Sequence, residues 1–306
     1  MDWTRRLRIR QLTILIELHE SRNLSKAATR MAMTQPALSK WLRELENDLA
    51  VPLFERHSRG LVPTAYCEVL VTRARLMLNE LDRTAELMQA MADGKSGKIH
   101  LGSSPVAITR LVPDALNAFR QSFPKATVSV LDRPLEQLLP LLLDGRLDLI
   151  VSRLEDRSYG GEIAQEPLYT EVVAVVCGRH HPLAAKRKVD WKDLLAFPWV
   201  GPPVSTPLHR ELEHELAFAN QPAPHIAVEA TSMVLVASLL ERSDMLSLIS
   251  RKPAEYFQAV GKVKILPVPV RRRNHISALW RKSRPLGELE TGFLAALRDA
   301  ARAIGK

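Results

Sequence analysis

The stretch "SKAATRMAMTQPALSKWLREL" (residues 25–45) decides how the N-terminal part of the chain folds. Its apolar residues recur at helical spacing, yet Pro36 lies among them, and a proline in a helix interior costs ~3 kcal/mol. A proline is tolerated in the first turn of a helix, because the amide hydrogen that it lacks has no intrahelical partner there. The sequence therefore predicts two short helices, of which the second begins just before Pro36.

The two helices are predicted to form a helix-turn-helix. The first covers residues 26–31, and a turn follows at Ala32 and Met33. The side chain of Thr34 is suited to cap the second helix by accepting a backbone N–H. The apolar stripe of the second helix consists of Leu38, Leu42, Leu45 and Leu49.

The opposite face of the second helix is predicted to enter a DNA major groove. Gln pairs bidentately with adenine, Ser and Thr contact several bases, and Lys and Arg suit phosphates or guanine. An ordinary helical hairpin with a solvated polar face is the alternative interpretation of this motif. The residues predicted to face DNA are Thr34, Gln35, Pro36, Ser39, Lys40 and Arg43.

The next segment, "VPLFERHSRGLVPT" (residues 51–64), predicts a two-stranded wing. Arg56, His57 and Arg59 lie near its predicted tip, around Gly60. A wing places cations against the DNA backbone, where they position the protein without reading sequence. Arg56 and Arg59 therefore join the predicted DNA-binding set.

Three units follow from the pattern along the chain. We predict an all-α winged helix-turn-helix domain over residues 1–64, a long linker helix over 65–92, and a regulatory domain over 93–306 that begins with the hinge "DGKSGK". From residue 99 onward, short apolar strands alternate with amphipathic helices, which predicts parallel sheets with crossover helices. The predicted strands are residues 99–103, 126–132, 147–152, 171–178 and 245–250.

The regulatory domain is predicted to be an α/β effector domain of two Rossmann-like lobes, as in periplasmic binding proteins, with a cleft between them. Proline-rich stretches at 198–207 and 267–269 break the alternation, and the second is the predicted crossing back to the first lobe. The first lobe is then residues 99–162 with 267–306, and the second is residues 163–266.

At this point the chain resembles the LysR-type transcriptional regulators. The matching segments are "LRIRQLTILIEL", "SKAATRMAMTQPALSKWLRELENDL" and "PLFERHSRGLVPT", and the resemblance spans the full length. It implies a DNA-binding regulator that responds to a small-molecule effector. The segments "LLDGRLDLIVSRL" and "LYTEVVAVVCGRHHPLA" further resemble the branch that responds to sugars or aromatic-acid breakdown products.

The chain departs from the family pattern at several places. Arg22-Asn23 replaces the usual Gly-Ser, and Ala50 replaces a helix-ending glycine, which raises the question of strain or a different helix exit. Cys67 replaces another glycine, and Trp41 lies at a position that is usually polar. None of these changes removes a residue needed to enter the groove.

The linker helix is predicted to pair with a second copy of the chain. Its apolar residues follow the three-and-four spacing of a heptad seam, which favours a homodimer. Packing of the helix on its own domain is the alternative. A dimer would set two recognition helices about one DNA turn (~34 Å) apart or multiples of it, and the resemblance further implies a tetramer. The seam residues are Cys67, Leu70, Ala74, Met77, Leu81, Thr84, Met88 and Met91.

The effector is predicted to bind in the cleft between the lobes. Ligands of α/β sheets bind at the C-terminal ends of strands, and a helix N-terminus suits a carboxylate or phosphate. Plain helix capping is the alternative for each hydroxyl residue. The family resemblance favours a ligand role, with Ser103, Ser104 and Thr206 first. The full predicted set is Ser103, Ser104, Arg153, Ser205, Thr206, Thr231 and Ser232.

Composition limits the other classes of protein. The chain has 306 residues, of which 46% are apolar, which is typical of a globular protein. Its net charge of +9 fits an anionic partner, and by charge alone an acidic membrane surface fits as well as nucleic acid. No secretory signal or run of 18 uncharged apolar residues is present, so no membrane partner is expected. Two cysteines are too few for a disulfide framework or a zinc site, which fits the cytoplasm.

The motifs of enzymes are missing from the sequence. It contains no nucleophile elbow, HExxH or paired CxxC, and "GKS" at residues 94–96 lacks the context of a P-loop. No catalytic residue, metal or cofactor is therefore expected. His180-His181 is interpreted as a solvated loop. Residues 271–273 are interpreted as a solvated strand end, with a second DNA contact as the alternative. The remaining alternatives are a ligand-independent DNA-binding repressor, a solute-binding protein and an α/β enzyme.

Overall fold

The computed structural model describes residues 7–57, 60–94, 96–154, 161–204, 206–271 and 273–304. The chain divides into two compact units. The first runs to Gly97 and includes residues 140–146, and the second contains the rest of the chain. The boundary at Gly97 lies inside the predicted hinge.

Up to Gly97, the described part of the first unit contains four helices and one hairpin, and the end of a later helix, residues 140–143, also belongs to this unit. The short helices pack around a core formed by the leucine stripe, and the two strands pair antiparallel with Phe54 opposite Pro63. The predicted winged helix-turn-helix is therefore confirmed. The elements are α1 (Ile9–Ser21), α2 (Leu24–Arg30), α3 (Gln35–Leu49), β1 (Phe54–His57), β2 (Gly60–Pro63) and α4 (Ala65–Ala92).

The start of α3 confirms the predicted role of the proline. Pro36 is the second residue of the helix, and Thr34 is the N-cap, with its hydroxyl oxygen accepting a hydrogen bond from the Ala37 amide at 3.3 Å. Leu38, Leu42 and Leu45 are buried behind the helix. The predicted first helix begins two residues earlier than expected, because Asn23 caps it by accepting from the Lys26 amide.

Two of the departures from the family pattern lie at strained backbone positions. Ala50 ends α3 with a φ of 57°, and Arg22 ends α1 with a φ of 51°, both in the left-handed region that favours glycine. The carbonyl oxygen of Arg22 accepts a hydrogen bond from the Leu61 amide at 2.8 Å. A Cβ atom on the neighbouring Gly60 would lie only 2.6 Å from that oxygen, so only glycine fits there.

The second unit contains two five-stranded sheets. Its elements, in chain order, are β3 (Lys98–Ser103), α5 (Pro105–Ile108), α6 (Leu111–Ser122), β4 (Thr127–Asp132), α7 (Leu135–Leu143), β5 (Leu149–Leu154), β6 (Ile163–Glu171), β7 (Val173–Cys177), α8 (Trp191–Leu194), β8 (Trp199–Gly201), α9 (Pro207–Phe218), β9 (Ile226–Glu229), α10 (Met233–Arg242), β10 (Leu246–Ser250), α11 (Arg251–Ala259), β11 (Lys264–Ile265), β12 (Asn274–Arg281) and α12 (Glu288–Ile304).

Both sheets are mixed, which corrects the expectation of parallel sheets. The strand order of the first is β4-β3-β5-β12-β6, and that of the second is β11-β7-β10-β8-β9. In the first sheet β4, β3 and β5 are parallel, whereas β12 is antiparallel to both of its neighbours. In the second sheet β7 is antiparallel to β10. The crossover helices account for the parallel part, and the strands that cross between lobes supply the antiparallel part.

The predicted lobe boundary at residue 163 is wrong by one strand. β6 pairs with β12 in the first sheet, so the second lobe begins only after Glu171. The chain returns to the first sheet before Asn274, close to the predicted crossing at residues 267–269. In the first lobe α6 and α12 pack together, with Phe119 and Phe293 edge to face at 5.4 Å. The two-lobed α/β fold is confirmed.

Candidate functional site

The outward face of α3 carries the polar side chains predicted to meet DNA. Thr34, Gln35, Pro36, Lys40 and Arg43 are all exposed, because the buried leucine stripe occupies the opposite side of the helix. An ion pair on this face joins Lys40 to Glu44 at 3.8 Å, and both side chains are more than half exposed. Solvent screens such a pair, so Lys40 stays available to a phosphate.

Ser39 lies elsewhere than predicted. Its side chain is buried, with 9% of its surface exposed, and its hydroxyl accepts a hydrogen bond from Arg56 Nη2 at 3.2 Å. The expected outward position is wrong because Ser39 contacts the wing, whose Arg56 side chain bonds to it. Ser39 thus fixes Arg56 of the wing to α3. Arg59 lies outside the described residues.

The N-terminal part of α4 packs on its own domain. Cys67, Val71 and Ala74 are buried, and Leu70 packs against the same core. Burial, with lesser effects from Glu68 and Glu46, raises the pKa of the Cys67 thiol to about 12, so it is a neutral core residue. The first three members of the predicted seam therefore follow the alternative interpretation, packing within one chain.

A second apolar face of α4 is exposed to solvent. Successive helical residues turn by about 100°, and this angle places the exposed apolar side chains in one stripe along the helix. Arg73, Glu80 and Thr84 are its polar members. The exposed apolar residues are Tyr66, Val69, Met77, Leu81, Leu87, Met88 and Met91. We call this set the α4 stripe.

A cavity of about 150 Å³ lies between the two lobes of the second unit, at the C-terminal ends of β3, β5 and β10. Four of the predicted effector residues line it, namely Ser104, Arg153, Thr206 and Thr231. Most of its remaining lining is apolar, and Glu136 is the other charged residue among the lining side chains. We call it the cleft cavity.

Arg153 is the buried charge of the cleft cavity. It lies within β5, only 6% exposed, and its Nη2 donates to Ser250 Oγ in the second lobe at 2.7 Å. The nearby Glu171 carboxylate accepts a hydrogen bond from the Lys252 amide at 3.1 Å. Burial raises the pKa of Glu171, and the charge of Arg153 opposes that rise. A buried guanidinium facing an apolar cavity is suited to pair with an anionic group.

The hydroxyl residues of the cleft differ in what their oxygen atoms contact. Ser104 Oγ is buried and has no hydrogen-bond partner among the described residues. Thr206 Oγ1 donates to the Pro203 carbonyl at 2.7 Å and accepts from the His209 amide at 3.3 Å, so it serves as the cap of α9. Of the cavity's hydroxyl residues, Ser104 is therefore better placed than Thr206 to bond a ligand.

The other predicted effector residues lie outside the cleft cavity or outside the described chain. Ser103 is fully buried, and its hydroxyl donates to the Ser104 carbonyl at 3.1 Å. Ser232 caps α10 and lines an adjoining depression. Ser205 is outside the described residues. Sequence reasoning missed Ser250, although it ends a strand as Ser103 does, and only the fold places it beside Arg153.

His181 corrects the interpretation of the His180-His181 loop as solvated. The His181 ring is buried, its Nε2 donates to the Asp244 carbonyl at 3.0 Å, and its Nδ1 accepts from the Leu183 amide at 3.0 Å. Burial lowers the pKa of His181, which keeps it neutral.

In the described part of the chain, no three His, Cys, Asp or Glu side chains are grouped to hold a metal. No described helix is both long and apolar enough to cross a membrane.

A winged helix-turn-helix followed by a two-lobed α/β domain with an internal cavity is the architecture of a DNA-binding regulator that carries an effector-binding domain. The family model described as "LysR substrate binding domain" matches residues 92–302, and the model "Bacterial regulatory helix-turn-helix protein, lysR family" matches residues 9–68. The chain belongs to the LysR family of bacterial transcriptional regulators, and it is not an enzyme.

Similar proteins agree with this assignment. The regulator GbpR of Azospirillum brasilense is 29% identical over 97% of this chain and 87% of its own length. The regulator GalR of Pseudomonas putida is 30% identical over 96% of this chain and 73% of its own. The crystal structure of full-length CbnR with its target DNA has the same fold, with a TM-score of 0.65, 23% identity, and coverage of 96% of this chain and 100% of that one.

Proposed function

We propose that a small molecule with an apolar body and one anionic or polar end binds in the cleft cavity and changes how the protein lies on its operator. In this proposal residues 1–64 bind DNA, residues 65–92 join two copies, and residues 93–306 bind the effector. The observation that carries the proposal is the buried Arg153 guanidinium in an otherwise mostly apolar cavity.

The size of the cavity limits the effector. About 150 Å³ is comparable to an engineered protein cavity that accepts benzene. Arg153 supplies a fixed positive charge, and Ser104 supplies a hydroxyl with no protein partner among the described residues. A small carboxylate with a body about the size of a six-membered ring fits both features. The apolar lining includes Val106, Leu135, Leu208, Met233, Val236, Leu248 and Ile249.

The DNA-binding role is assigned residue by residue. Thr34, Gln35 and Pro36 lie at the N-terminal end of α3, which is the part of a recognition helix that meets base edges. Lys40, Arg43 and the wing cations Arg56 and Arg59 are proposed to contact phosphates. CbnR, which shares the fold, is solved in complex with its target DNA. Because the proposed partner is promoter DNA, the compartment proposed for the protein is the cytoplasm.

The α4 stripe is proposed to join two copies of the chain. Met77, Leu81, Met88 and Met91 belong to the predicted seam and are all exposed, Met88 and Met91 by about two thirds. Such an apolar row on a helix is stabilised when a second helix covers it. A homodimer would supply two α3 helices for two half-sites, and we propose that two dimers form a tetramer.

The effector proposal is tested on full-length protein by calorimetric titration with a panel of small carboxylates. We expect Arg153→Gln to weaken binding about tenfold or more, because a charge-assisted hydrogen bond is lost, and Arg153→Lys to lose less. Thr206→Ala is the matched lining variant, and unaltered binding in it removes Thr206 from the effector set. Thermal melting of each variant separates a loss of binding from a loss of folding.

A second experiment with the same proteins tests whether binding of the effector changes how the protein binds DNA. Binding to the DNA upstream of the protein's own gene is followed by footprinting with and without each ligand. We expect a bound carboxylate to change the footprint of the wild type and not of Arg153→Gln. If the footprint stays the same with every carboxylate that binds, the protein is the ligand-independent repressor and the proposal is wrong.

A further inference from the structure

A second cavity, of about 780 Å³, lies in the second lobe and shares no lining residue with the cleft cavity. It is formed by the turn after β7, the loop that follows, the end of α11 and the strand β11. We call it the basic cavity. Its lining residues are Arg179, His180, His181, Pro182, Ala184, Ala185, Gln258, Ala259, Gly261, Val263 and Lys264.

The charged side chains of the basic cavity are exposed cations. Arg179 and Lys264 carry full positive charges, and neither forms an ion pair with a carboxylate in the described chain. Two acidic residues of the same lobe pair with other lysines: Glu241 binds Lys262 at 3.0 Å, and Asp193 lies 3.8 Å from Lys186. The cavity therefore carries unneutralised positive charge.

The Arg179 guanidinium lies close to the backbone of a glycine. Gly261 has a φ of 75°, and a Cβ atom built on it would lie 3.1 Å from Arg179 Nη1. The guanidinium therefore lies against the bare backbone at Gly261. Beside it, Gln258 Oε1 accepts a hydrogen bond from the Ile265 amide at 2.9 Å, which leaves the two N–H donors of its amide without a described partner. The cavity thus combines the N–H donors of the Arg179 guanidinium and the Gln258 amide with the compact charge of Lys264.

The neighbouring histidines contribute differently. His181 forms part of the wall, since both of its ring nitrogens are engaged by backbone groups. The Asp244 charge acts on His181, but Asp244 forms no ion pair with Arg179 or Lys264 in the described chain. His180 is exposed and supplies one further ring donor or acceptor. No carboxylate among the lining residues opposes an anion there.

The positive charge continues along the chain beyond the cavity. Ala184 and Ala185 line it, and the exposed residues Arg187, Lys188 and Lys192 follow in the next seven positions. None of these three cations forms an ion pair with a described carboxylate. A run of unpaired cations raises the local concentration of anions.

We propose that the basic cavity binds phosphate groups. Arg recognises phosphate oxygens with parallel N–H bonds, Lys adds a compact charge, and the Gln258 amide adds further donors. The volume is large enough for a phosphorylated metabolite. The backbone of bound DNA presents the same phosphate chemistry, so the experiment has one arm for each source.

The first arm titrates full-length protein with pyrophosphate at constant ionic strength. We expect Arg179→Gln/Lys264→Gln to bind at least about tenfold more weakly than the wild type, because two charged hydrogen bonds are removed. The matched control is Arg120→Gln/Lys125→Gln, which removes the same charge from exposed residues of the first lobe that form no described ion pair. We expect the control to bind like the wild type.

The second arm measures the salt dependence of operator binding for the same three proteins. If DNA supplies the phosphates, the slope of log K against log salt falls by about 0.9 for each phosphate that the cavity variant no longer neutralises, and stays unchanged in the control. A loss confined to pyrophosphate binding assigns the cavity to a free ligand. If the cavity variant equals the control in both arms, the proposal is overturned.

Discussion

The DNA-binding head (residues 9–64) and the cleft cavity differ in how far apart along the chain their candidate site residues lie. The outward residues of the head, from Gln35 to Arg43, belong to one helix, α3. The cavity is lined by residues from Ser104 to Pro253, which come from both lobes. A local pattern is therefore enough to group the outward residues of α3, whereas the cleft cavity exists only once two sheets have formed.

The same difference decides how far a residue's type reveals its role. On α3 the helical angle fixes which side chains face outward, and Gln35, Lys40 and Arg43 are exposed as predicted. In the cleft, Ser104 and Thr206 look alike in the sequence, but the structure engages the Thr206 hydroxyl with two backbone groups and leaves that of Ser104 unpaired among the described residues. The partners of a hydroxyl group come from distant segments.

The largest expected effect tests how much the buried leucine stripe contributes to the stability of the head. Leu42 is 1% exposed in its core, so Leu42→Ala is expected to destabilise the head by about 2–5 kcal/mol. Hydrogen exchange of the α3 amides measures this locally. Leu49→Ala, at a half-buried position of the same stripe, is the control and should cost clearly less. Equal effects would mean that the burial of a leucine in the stripe does not decide how much it stabilises the head.

The next effect separates base reading from backbone contact on α3. Gln35→Ala is expected to lose about 1–3 kcal/mol of discrimination between the operator and an operator with changed bases. Lys40→Gln should instead weaken binding to all sequences alike and lower the salt slope by about 0.9. Competition binding with the operator and with the changed operator measures both the discrimination and the overall affinity of each variant. A uniform loss in Gln35→Ala would remove this residue from base reading.

A smaller effect is expected at the end of α3. Ala50 has a φ of 57°, which disfavours any residue with a Cβ atom. Ala50→Gly is therefore expected to stabilise the head by about 0.5–1 kcal/mol. Ala37→Gly, in the first turn of the same helix, is the matched control and should destabilise it by a similar amount. Denaturant unfolding of the head measures whether each variant raises or lowers its free energy of unfolding.

The last prediction concerns the pH dependence of the regulatory domain. Burial raises the pKa of Glu171, so the folded state holds this proton more tightly than the unfolded state. The stability from this group is fully present below the unfolded pKa and is lost as the pH rises through the folded pKa. Glu171→Gln removes that loss, so we expect a higher melting temperature at neutral pH and a flatter pH profile.

Glu166→Gln is the control with the opposite sign. The two hydrogen bonds from Arg298, at 2.6 and 2.7 Å, lower the pKa of Glu166. Its contribution is present above the unfolded pKa and is lost as the pH falls through the folded pKa. The pair is partly exposed, so Glu166→Gln should lower the neutral melting temperature only slightly. Calorimetric melting across acid to neutral pH checks both variants.

Most of the fold was predictable from the sequence, and the exceptions share a cause. Thr34, Pro36 and the leucine stripe located α3 because caps and periodicity act within a few residues. The sequence predicts an outward position for Ser39, which is wrong because the wing that contacts it is a separate element. The prediction places β6 in the wrong lobe because its partner, β12, lies about a hundred residues further along the chain.

The sequence by itself determined the helix-turn-helix, the wing, the alternation of strands and helices, and the family. These depend on interactions between near neighbours in the chain, which spacing and residue type report directly. Only the tertiary structure decided that Arg153 meets Ser250, that Cys67 is a core residue, and that His181 is part of a wall. Burial and hydrogen-bond partners arise from segments far apart in the sequence, and no local pattern records which of them will meet.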